Sequence, residues 1–133
     1  MAKNASAAGF ESPRVIVVDD HPTSAEMLAE LLMMEGYAVA VAHGGQEAIA
    51  IAREFKPSIA LLDIGLPDMT GFALAAMFRA APDLRDVRLV ALSGYEHSPS
   101  AQRSGSAFEH YLVKPVEIDQ LLAVLVGLDR RSR

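Results

Sequence analysis

The chain has 133 residues, a formal net charge of −5 and no cysteine, and 51% of its residues are hydrophobic. This length and composition are those of a single folded domain and exclude disordered and fibrous proteins. Without cysteine, disulfides and thiolate metal sites are excluded, and the acidic balance lacks the broad basic surface that non-specific nucleic-acid binding needs. We therefore expect no direct nucleic-acid partner.

Three segments follow from the distribution of apolar residues. Residues 1–12 are small and polar without periodicity, so we expect a flexible leader that is not a signal peptide. Residues 13–128 form the expected domain, and residues 129–133 form a charged tail. No run reaches membrane-spanning length, so we expect no membrane partner and a cytoplasmic protein. The initial Met1 favours a complete chain.

Apolar runs of strand length alternate with helical periodicity along this domain. Val15–Val18 is a β-branched run followed by two acids, which is typical of a strand buried on both faces. Pro22 and Gly36 mark the start and the end of the first helix. The apolar residues of that helix are Met27, Leu28, Leu31 and Leu32.

The alternation continues to the end of the domain. The remaining elements are expected as strands at 39–42, 59–62, 89–92 and 111–113 and helices at 46–55, around Phe72–Phe78 and from Ile118 to Val126. A further helix would lie at Ser98–Ser106, but this segment is rich in serine and poor in apolar residues. The pattern predicts an α/β fold, a doubly wound five-stranded parallel sheet with helices on both faces.

Polar residues end these predicted strands. Asp19 and Asp20 follow the first strand, Asp63 the third, Ser93 the fourth and Lys114 the fifth. Each residue taken alone is an ordinary cap, turn former or solvent-facing side chain. Because parallel sheets bind ligands at the carboxyl ends of their strands, the five together predict one functional site.

The carboxylates of this site indicate a metal ion. Three carboxylates placed together repel, and Lys114 alone cannot neutralise them. Oxygen ligands without cysteine or suitably spaced histidine are typical of a hard ion, so we predict Mg²⁺, with Mn²⁺ as its substitute. The four histidines have no metal-ligand spacing, and surface or capping roles are expected for His21, His43, His97 and His110.

The ordered motifs resemble the receiver domains of two-component response regulators over residues 14–128. The motifs are Val17–Asp20, Leu61–Asp63, Leu66-Pro67, Gly71, Ala91–Gly94 and Tyr111–Pro115. The resemblance implies a flavodoxin-like strand order of two-one-three-four-five. Two positions depart from the family pattern, because Ser93 stands where threonine is common and Ala107 where glycine is frequent.

The resemblance implies a chemical role for each site residue. Asp63 would accept a phosphoryl group from a histidine kinase or a histidine phosphotransfer protein. Asp20, Asp63 and the backbone carbonyl of Gly65 would bind Mg²⁺ directly, Asp19 would act mainly through a coordinated water, and Lys114 would pair with the phosphoryl group. Such a domain assists its own phosphorylation and dephosphorylation and turns over no separate substrate.

The resemblance also implies a switch that controls an unidentified downstream protein. Ser93 would donate its hydroxyl to the phosphoryl group, and the Tyr111 ring would then turn inward. The Lys114–Pro115 peptide bond would be cis, which aims the lysine into the site. We further hypothesise that Tyr95 controls the access of water to the phosphoaspartate.

Three alternatives stay open. The chain could be a receiver-like interaction module that binds partners without being phosphorylated, or a receiver excised from a hybrid histidine kinase. A haloacid-dehalogenase-like phosphatase would also use an aspartate nucleophile, but it needs a second acid two residues later, where this chain has Gly65. Treatment with a small phosphoryl donor separates the interaction module and the phosphatase from a phosphoacceptor.

Overall fold

The computed structural model describes residues 13–94 and 108–131 of the chain. In chain order, the elements of these residues are β1 (Arg14–Val18), α1 (Pro22–Met34), β2 (Ala38–Ala42), α2 (Gly45–Phe55), β3 (Ile59–Asp63), α3 (Gly71–Ala80), β4 (Arg88–Ser93), β5 (His110–Val113) and α4 (Ile118–Arg131). The predicted leader and the segment 98–106 lie outside the described residues. None of the helices described combines the length and the apolar character needed to cross a membrane.

The strands form one parallel sheet in the order β2–β1–β3–β4–β5. Val18 at the end of β1 pairs with Ala42 on one side and with Leu62 on the other. Further along the sheet, Asp63 pairs with Leu92. The predicted α/β class and the flavodoxin-like strand order are confirmed. All five strands therefore end at the same edge of the sheet.

Side chains of the strands alternate between two hydrophobic cores, one on each face of the sheet. Val15 and Val17 of β1 join the core that includes residues of α1 and α4, whereas Ile16 and Val18 join the core that includes residues of α2 and α3. All four side chains are fully buried. The strand is a continuous apolar run because helices cover both of its faces.

Of the four large apolar residues that the sequence indicated for α1, only Leu28 and Leu32 reach the core. Its buried residues are Ala25, Ala29 and Leu32, whereas Met27 is 60% exposed and Leu31 is 41% exposed. Small alanine side chains allow the helix axis to approach the sheet closely. The long side chains of the neighbouring face are consequently left at the surface, where exposed apolar residues mark an interaction surface.

The end of α1 follows the predicted glycine signal. The backbone of Gly36 has a φ of +99°, a conformation that side chains other than glycine rarely adopt. The next backbone N–H, that of Tyr37, donates a hydrogen bond of 3.1 Å to the carbonyl of Leu32. This backward bond closes the last turn and directs the chain into β2.

Gly71 begins α3 against the carboxyl end of β3. A Cβ atom at this position would lie 2.7 Å from the carbonyl oxygen of Asp63 and 2.8 Å from Cα of Ile64. The Gly71 N–H also donates a 2.7 Å hydrogen bond to the Ile64 carbonyl. Because the obstructing atoms belong to the backbone, no side-chain rotation can make room for a larger residue.

We predict that Gly71→Ala lowers the free energy of unfolding by about 1–3 kcal/mol, the usual cost of forcing extra volume into a packed region. Gly127→Ala is the matched control, because a Cβ atom there meets nothing within 4 Å. That control lies inside α4 and should raise the free energy of unfolding by about 0.5–1 kcal/mol. Urea denaturation followed by circular dichroism measures both values, and equal stabilities for the two variants would contradict the prediction.

Candidate functional site

Polar side chains from four strands lie together at the carboxyl edge of the sheet. Asp19 follows β1, Asp63 ends β3, Ser93 ends β4 and Lys114 follows β5. Asp19, Asp63 and Ser93 are 2%, 6% and 2% exposed, and they are the buried polar side chains among the described residues. Burying carboxylates costs free energy unless they are paired, so this concentration at one place points to a binding or catalytic purpose.

Lys114 joins the two buried carboxylates. Its Nζ donates to Oδ2 of Asp63 at 3.0 Å and to Oδ2 of Asp19 at 3.4 Å. Its backbone N–H donates to the carbonyl of Ser93 at 2.8 Å, which fixes the start of the loop after β5. The peptide bond from Lys114 to Pro115 is cis, the conformation that the resemblance implied.

The loop after β1 brings a third carboxylate to the site. Asp19 Oδ1 accepts a 3.0 Å hydrogen bond from the backbone N–H of His21, and the His21 ring nitrogen Nδ1 lies 3.3 Å from it. The same ring nitrogen lies 3.3 Å from Oδ1 of Asp20, but this buried oxygen accepts no hydrogen bond. The Asp20 side chain therefore lies at the site with an unused ligand atom.

Burial and charge have opposing effects on Lys114 and Asp19. Burial alone would lower the pKa of Lys114, but the hydrogen bond to Asp63 and the negative charges nearby outweigh it and raise that pKa above its ordinary 10.5. Burial alone would raise the pKa of Asp19, but the backbone hydrogen bond from His21 and the Lys114 charge keep that pKa below 3.8. These shifts add stability that is present at neutral pH. The stability contributed by Lys114 is lost as the pH rises through its raised pKa in the folded protein. The stability contributed by Asp19 is lost as the pH falls through its lowered pKa in the folded protein.

The donor set fits a hard divalent cation. Asp19, Asp20, His21 and Asp63 each offer a ligand atom, and these atoms lie within 4.8 Å of one another. Carboxylate oxygens are the protein ligands that Mg²⁺ and Mn²⁺ prefer, and the unused Asp20 oxygen is free to serve as one. The backbone of Gly65 also reaches the site, since its N–H donates to Asp63 Oδ1 at 3.1 Å.

Two hydroxyl groups near the site have no hydrogen-bond partner among the described residues. They are Oγ of Ser93 and the hydroxyl of Tyr111, both buried. The Tyr111 residue as a whole is half-buried, although its hydroxyl oxygen is buried. Its ring packs edge to face against that of Phe108, with ring centroids 5.5 Å apart. Buried hydroxyls are usually satisfied, so these two groups are available to a ligand or to a second conformation.

One predicted site residue lies outside the described residues, and one residue beside the site was not predicted from the sequence. Tyr95, for which a role in phosphate access was hypothesised, lies outside the described residues. Asp68 was not among the predicted site residues, yet its carboxylate accepts hydrogen bonds from the backbone N–H groups of Gly45 and Gln46 at the start of α2. The sequence feature that could have pointed to this contact is indirect: Gly44 and Gly45 give α2 no side-chain cap of its own, so another part of the chain must supply one.

Residues 15–126 match the family model described as a response regulator receiver domain. The probable transcriptional regulatory protein TcrX of Mycobacterium tuberculosis is 35% identical over 119 residues, which cover 89% of this chain and 50% of that protein. The DNA-binding response regulator MtrA of Mycolicibacterium smegmatis is 36% identical over 119 residues, which cover 90% of this chain and 51% of that protein. The chain spans about half the length of these curated relatives.

Solved structures share the fold along nearly their whole length. The crystal structure of a putative response regulator from Chloroflexus aurantiacus superposes with a TM-score of 0.81 at 28% sequence identity. The match covers 89% of this chain and 98% of that chain. The sheet order described above is therefore that of a known group of proteins.

The comparisons overturn one expectation about partners. The acidic net charge led us to expect no direct nucleic-acid partner. The curated relatives are named as transcriptional regulators and DNA-binding response regulators, so this expectation is wrong for the class of protein that the chain matches. Net charge describes only the domain for which it is counted, and the matched domain is half of those proteins.

We predict that Lys114→Met lowers the free energy of unfolding of the metal-free protein by about 1–3 kcal/mol, because it leaves two buried carboxylates without their cation. The double variant Lys114→Met/Asp63→Asn should recover part of this loss, since it removes one of the unpaired charges. Urea denaturation in a chelating buffer provides the measurement. A double variant that is no more stable than the single variant would contradict the ion-pair interpretation.

Proposed function

This chain belongs to the response regulator receiver domain family, and from that premise we propose that Asp63 accepts a phosphoryl group and that this modification switches the domain between two conformations. One observation carries the proposal. Asp63 is buried at the carboxyl edge of the sheet, and its carboxylate lies 3.0 Å from the ammonium of Lys114. One of its oxygens also lies within 4.8 Å of a carboxylate oxygen from each of Asp19 and Asp20. A carboxylate so placed has both a nucleophilic oxygen and the charges that stabilise phosphoryl transfer.

In the proposed reaction, an oxygen of Asp63 attacks the phosphorus of a phosphohistidine on the donor protein. The new O–P bond forms as the P–N bond breaks, and the imidazole nitrogen leaves with the electron pair. Lys114 balances charge on the phosphoryl oxygens during transfer and in the acyl phosphate. Hydrolysis of that acyl phosphate by water returns Asp63 to its starting state, so no separate substrate is turned over.

Asp20, Asp63 and the carbonyl of Gly65 are the groups that we propose to hold Mg²⁺, with Asp19 acting through a coordinated water. The bound cation supplies neutralisation of charge on the phosphoryl oxygens. The carboxylates of Asp19 and Asp20 make the electrostatic potential negative at this position. The Asp20 oxygen without a hydrogen-bond partner is available as a ligand. Mn²⁺ has the same preference for oxygen and is expected to substitute.

An apolar groove beside the site supports a protein as the phosphoryl donor. It has a volume of about 560 Å³, and its lining includes Met27 and Leu31 of α1, Val116, and the site residues Asp19 and Lys114. Exposed apolar side chains grouped next to a reactive centre are typical of a protein contact surface. We assign this groove to the histidine kinase or the histidine phosphotransfer protein that delivers the phosphoryl group. Such donors belong to the cytoplasm, and that location is part of the proposal.

The output that we propose is control of transcription. The curated relatives are named as DNA-binding response regulators and transcriptional regulatory proteins, and the receiver match covers about half of their length. We therefore assign the phosphorylation switch to this domain and the contact with DNA to the remainder of such a protein. The acidic charge of the receiver is compatible with this division, because a regulatory domain does not need to touch DNA itself.

Phosphorylation by a small donor tests the proposal. Incubation with acetyl phosphate and Mg²⁺ should add a labile phosphoryl group that mass spectrometry detects, and chelation of the metal should abolish the addition. Asp63→Asn should show no addition. Asp83→Asn is the matched control, because it makes the same chemical change at an exposed residue that pairs with Arg53. Addition to the Asp63→Asn variant would overturn the assignment.

The same experiment separates the alternatives. A wild-type protein that binds no phosphoryl group under any of these conditions would be a receiver-like interaction module. Continuous hydrolysis of phosphate esters would instead indicate a phosphatase. Stoichiometric, metal-dependent addition at Asp63 supports the receiver function and rules out both of those alternatives.

We predict that Ser93→Ala is still phosphorylated but responds weakly. A hydrogen bond to a charged group contributes about 1.5–3 kcal/mol, so its loss should shift the equilibrium about tenfold or more toward the unswitched conformation. The measurement is the change in NMR chemical shifts of Tyr111 and its neighbours on phosphorylation. Ser93→Thr keeps the hydroxyl and should retain the response, whereas a full response in Ser93→Ala would exclude Ser93 from the switch.

A further inference from the structure

The loop between β3 and α3 is closed at its base by backbone contacts. The Gly71 N–H donates to the carbonyl of Ile64, and Gly65 pairs with Thr70 as an isolated antiparallel bridge. These contacts join the two ends of the loop. They do not fix its tip, which carries Asp68 and is exposed to solvent.

Asp68 ties the tip of this loop to the start of α2. Its Oδ1 accepts a 2.9 Å hydrogen bond from the N–H of Gly45, and its Oδ2 accepts a 3.1 Å hydrogen bond from the N–H of Gln46. The cap residue of α2, Gly44, makes no side-chain hydrogen bond, so the helix takes its cap from a distant part of the chain. These two hydrogen bonds lower the pKa of the Asp68 carboxyl.

The glycine pair at the start of α2 makes room for the loop. A Cβ atom on Gly44 would lie 3.3 Å from Oδ1 of Asp68, and one on Gly45 would overlap the side chain of Met69. Met69 packs against the hydrophobic core between the sheet and α2 and α3. The contact between the loop and the helix is therefore close along two consecutive loop residues, not at a single hydrogen bond.

We propose that Asp68 is a positioning residue of the phosphorylation site, acting through Gly65. Gly65 lies three residues before Asp68, its N–H already holds Asp63 Oδ1 at 3.1 Å, and its carbonyl is a proposed metal ligand. The bridge from Gly65 to Thr70 connects that ligand to the tip that Asp68 anchors. The inference rests on the proposed function, because it assigns Asp68 a role in the same metal site.

A positioning role is physically reasonable because the metal ligand is a backbone group. A carbonyl has no rotamers of its own, so its direction is set only by the conformation of the loop that carries it. Anchoring the tip removes part of the conformational freedom that metal binding would otherwise have to restrict. Loss of the anchor should consequently weaken metal binding even though Asp68 touches neither the metal nor the phosphoryl group.

The experiment compares three variants by calorimetric titration of the unphosphorylated protein with Mg²⁺. Asp68→Ala removes both hydrogen bonds and should raise the Kd about tenfold, as the loss of a supporting group around a metal site typically does. Asp68→Asn keeps one acceptor oxygen and should give an intermediate Kd. Glu47→Ala is the control, because it removes the hydrogen bond from the His43 N–H at the same end of α2 but leaves the link to the loop intact.

Amide hydrogen exchange provides the second readout. Asp68→Ala should speed exchange at Gly45, Gln46 and Gly65, whereas Glu47→Ala should speed it at His43 and leave the Kd for Mg²⁺ unchanged. Equal Kd values in all variants, with exchange changed at Gly45 and Gln46 alone, would make Asp68 a simple helix cap and overturn the proposal. A wild-type protein that binds no Mg²⁺ would instead overturn the proposed function on which the inference rests.

Discussion

The structure is organised around an imbalance of buried charge. Asp19 and Asp63 are almost fully buried at the end of the sheet, Asp20 stands beside them, and within the described part of the chain one ammonium, that of Lys114, lies among the three carboxylates. An isolated domain would be more stable if this excess negative charge were removed. The site retains it, and under the proposed function the binding of a cation and of a phosphoryl group relieves this repulsion.

Much of the fold could be predicted because its signals are local. Each buried strand is a continuous apolar run that stops at a polar residue, and parallel topology then places those polar residues at one edge. The face on which α1 packs could not be predicted in this way. Ala25 and Ala29 contribute less apolar area than Met27 and Leu31, and only the close approach of the helix to the sheet makes the smaller pair the buried one.

The candidate site shows the same division between local and distant information. Asp63 and Lys114 could be selected because each follows an apolar strand. Asp68 could not, because its partners at Gly45 and Gln46 precede it by more than twenty residues and are backbone groups that leave no mark on the sequence. The error about nucleic acid has a related cause. Net charge reports on the surface of one domain, whereas the output of a regulatory domain depends on what that domain controls.

The hydrogen-bond donors around Asp63 are partly engaged and partly unused. On the side of β3, the Gly65 N–H and the Asp68 anchor are both engaged. On the side of β4 and β5, Lys114 donates to Asp63, but the hydroxyls of Ser93 and Tyr111 are buried without partners among the described residues. A phosphoryl group adds acceptor oxygens, and these gain most where donors are unused. Under the proposed function, the conformational response should therefore spread through β4 and β5, while the loop after β3 keeps Asp63 and the proposed metal ligands in place.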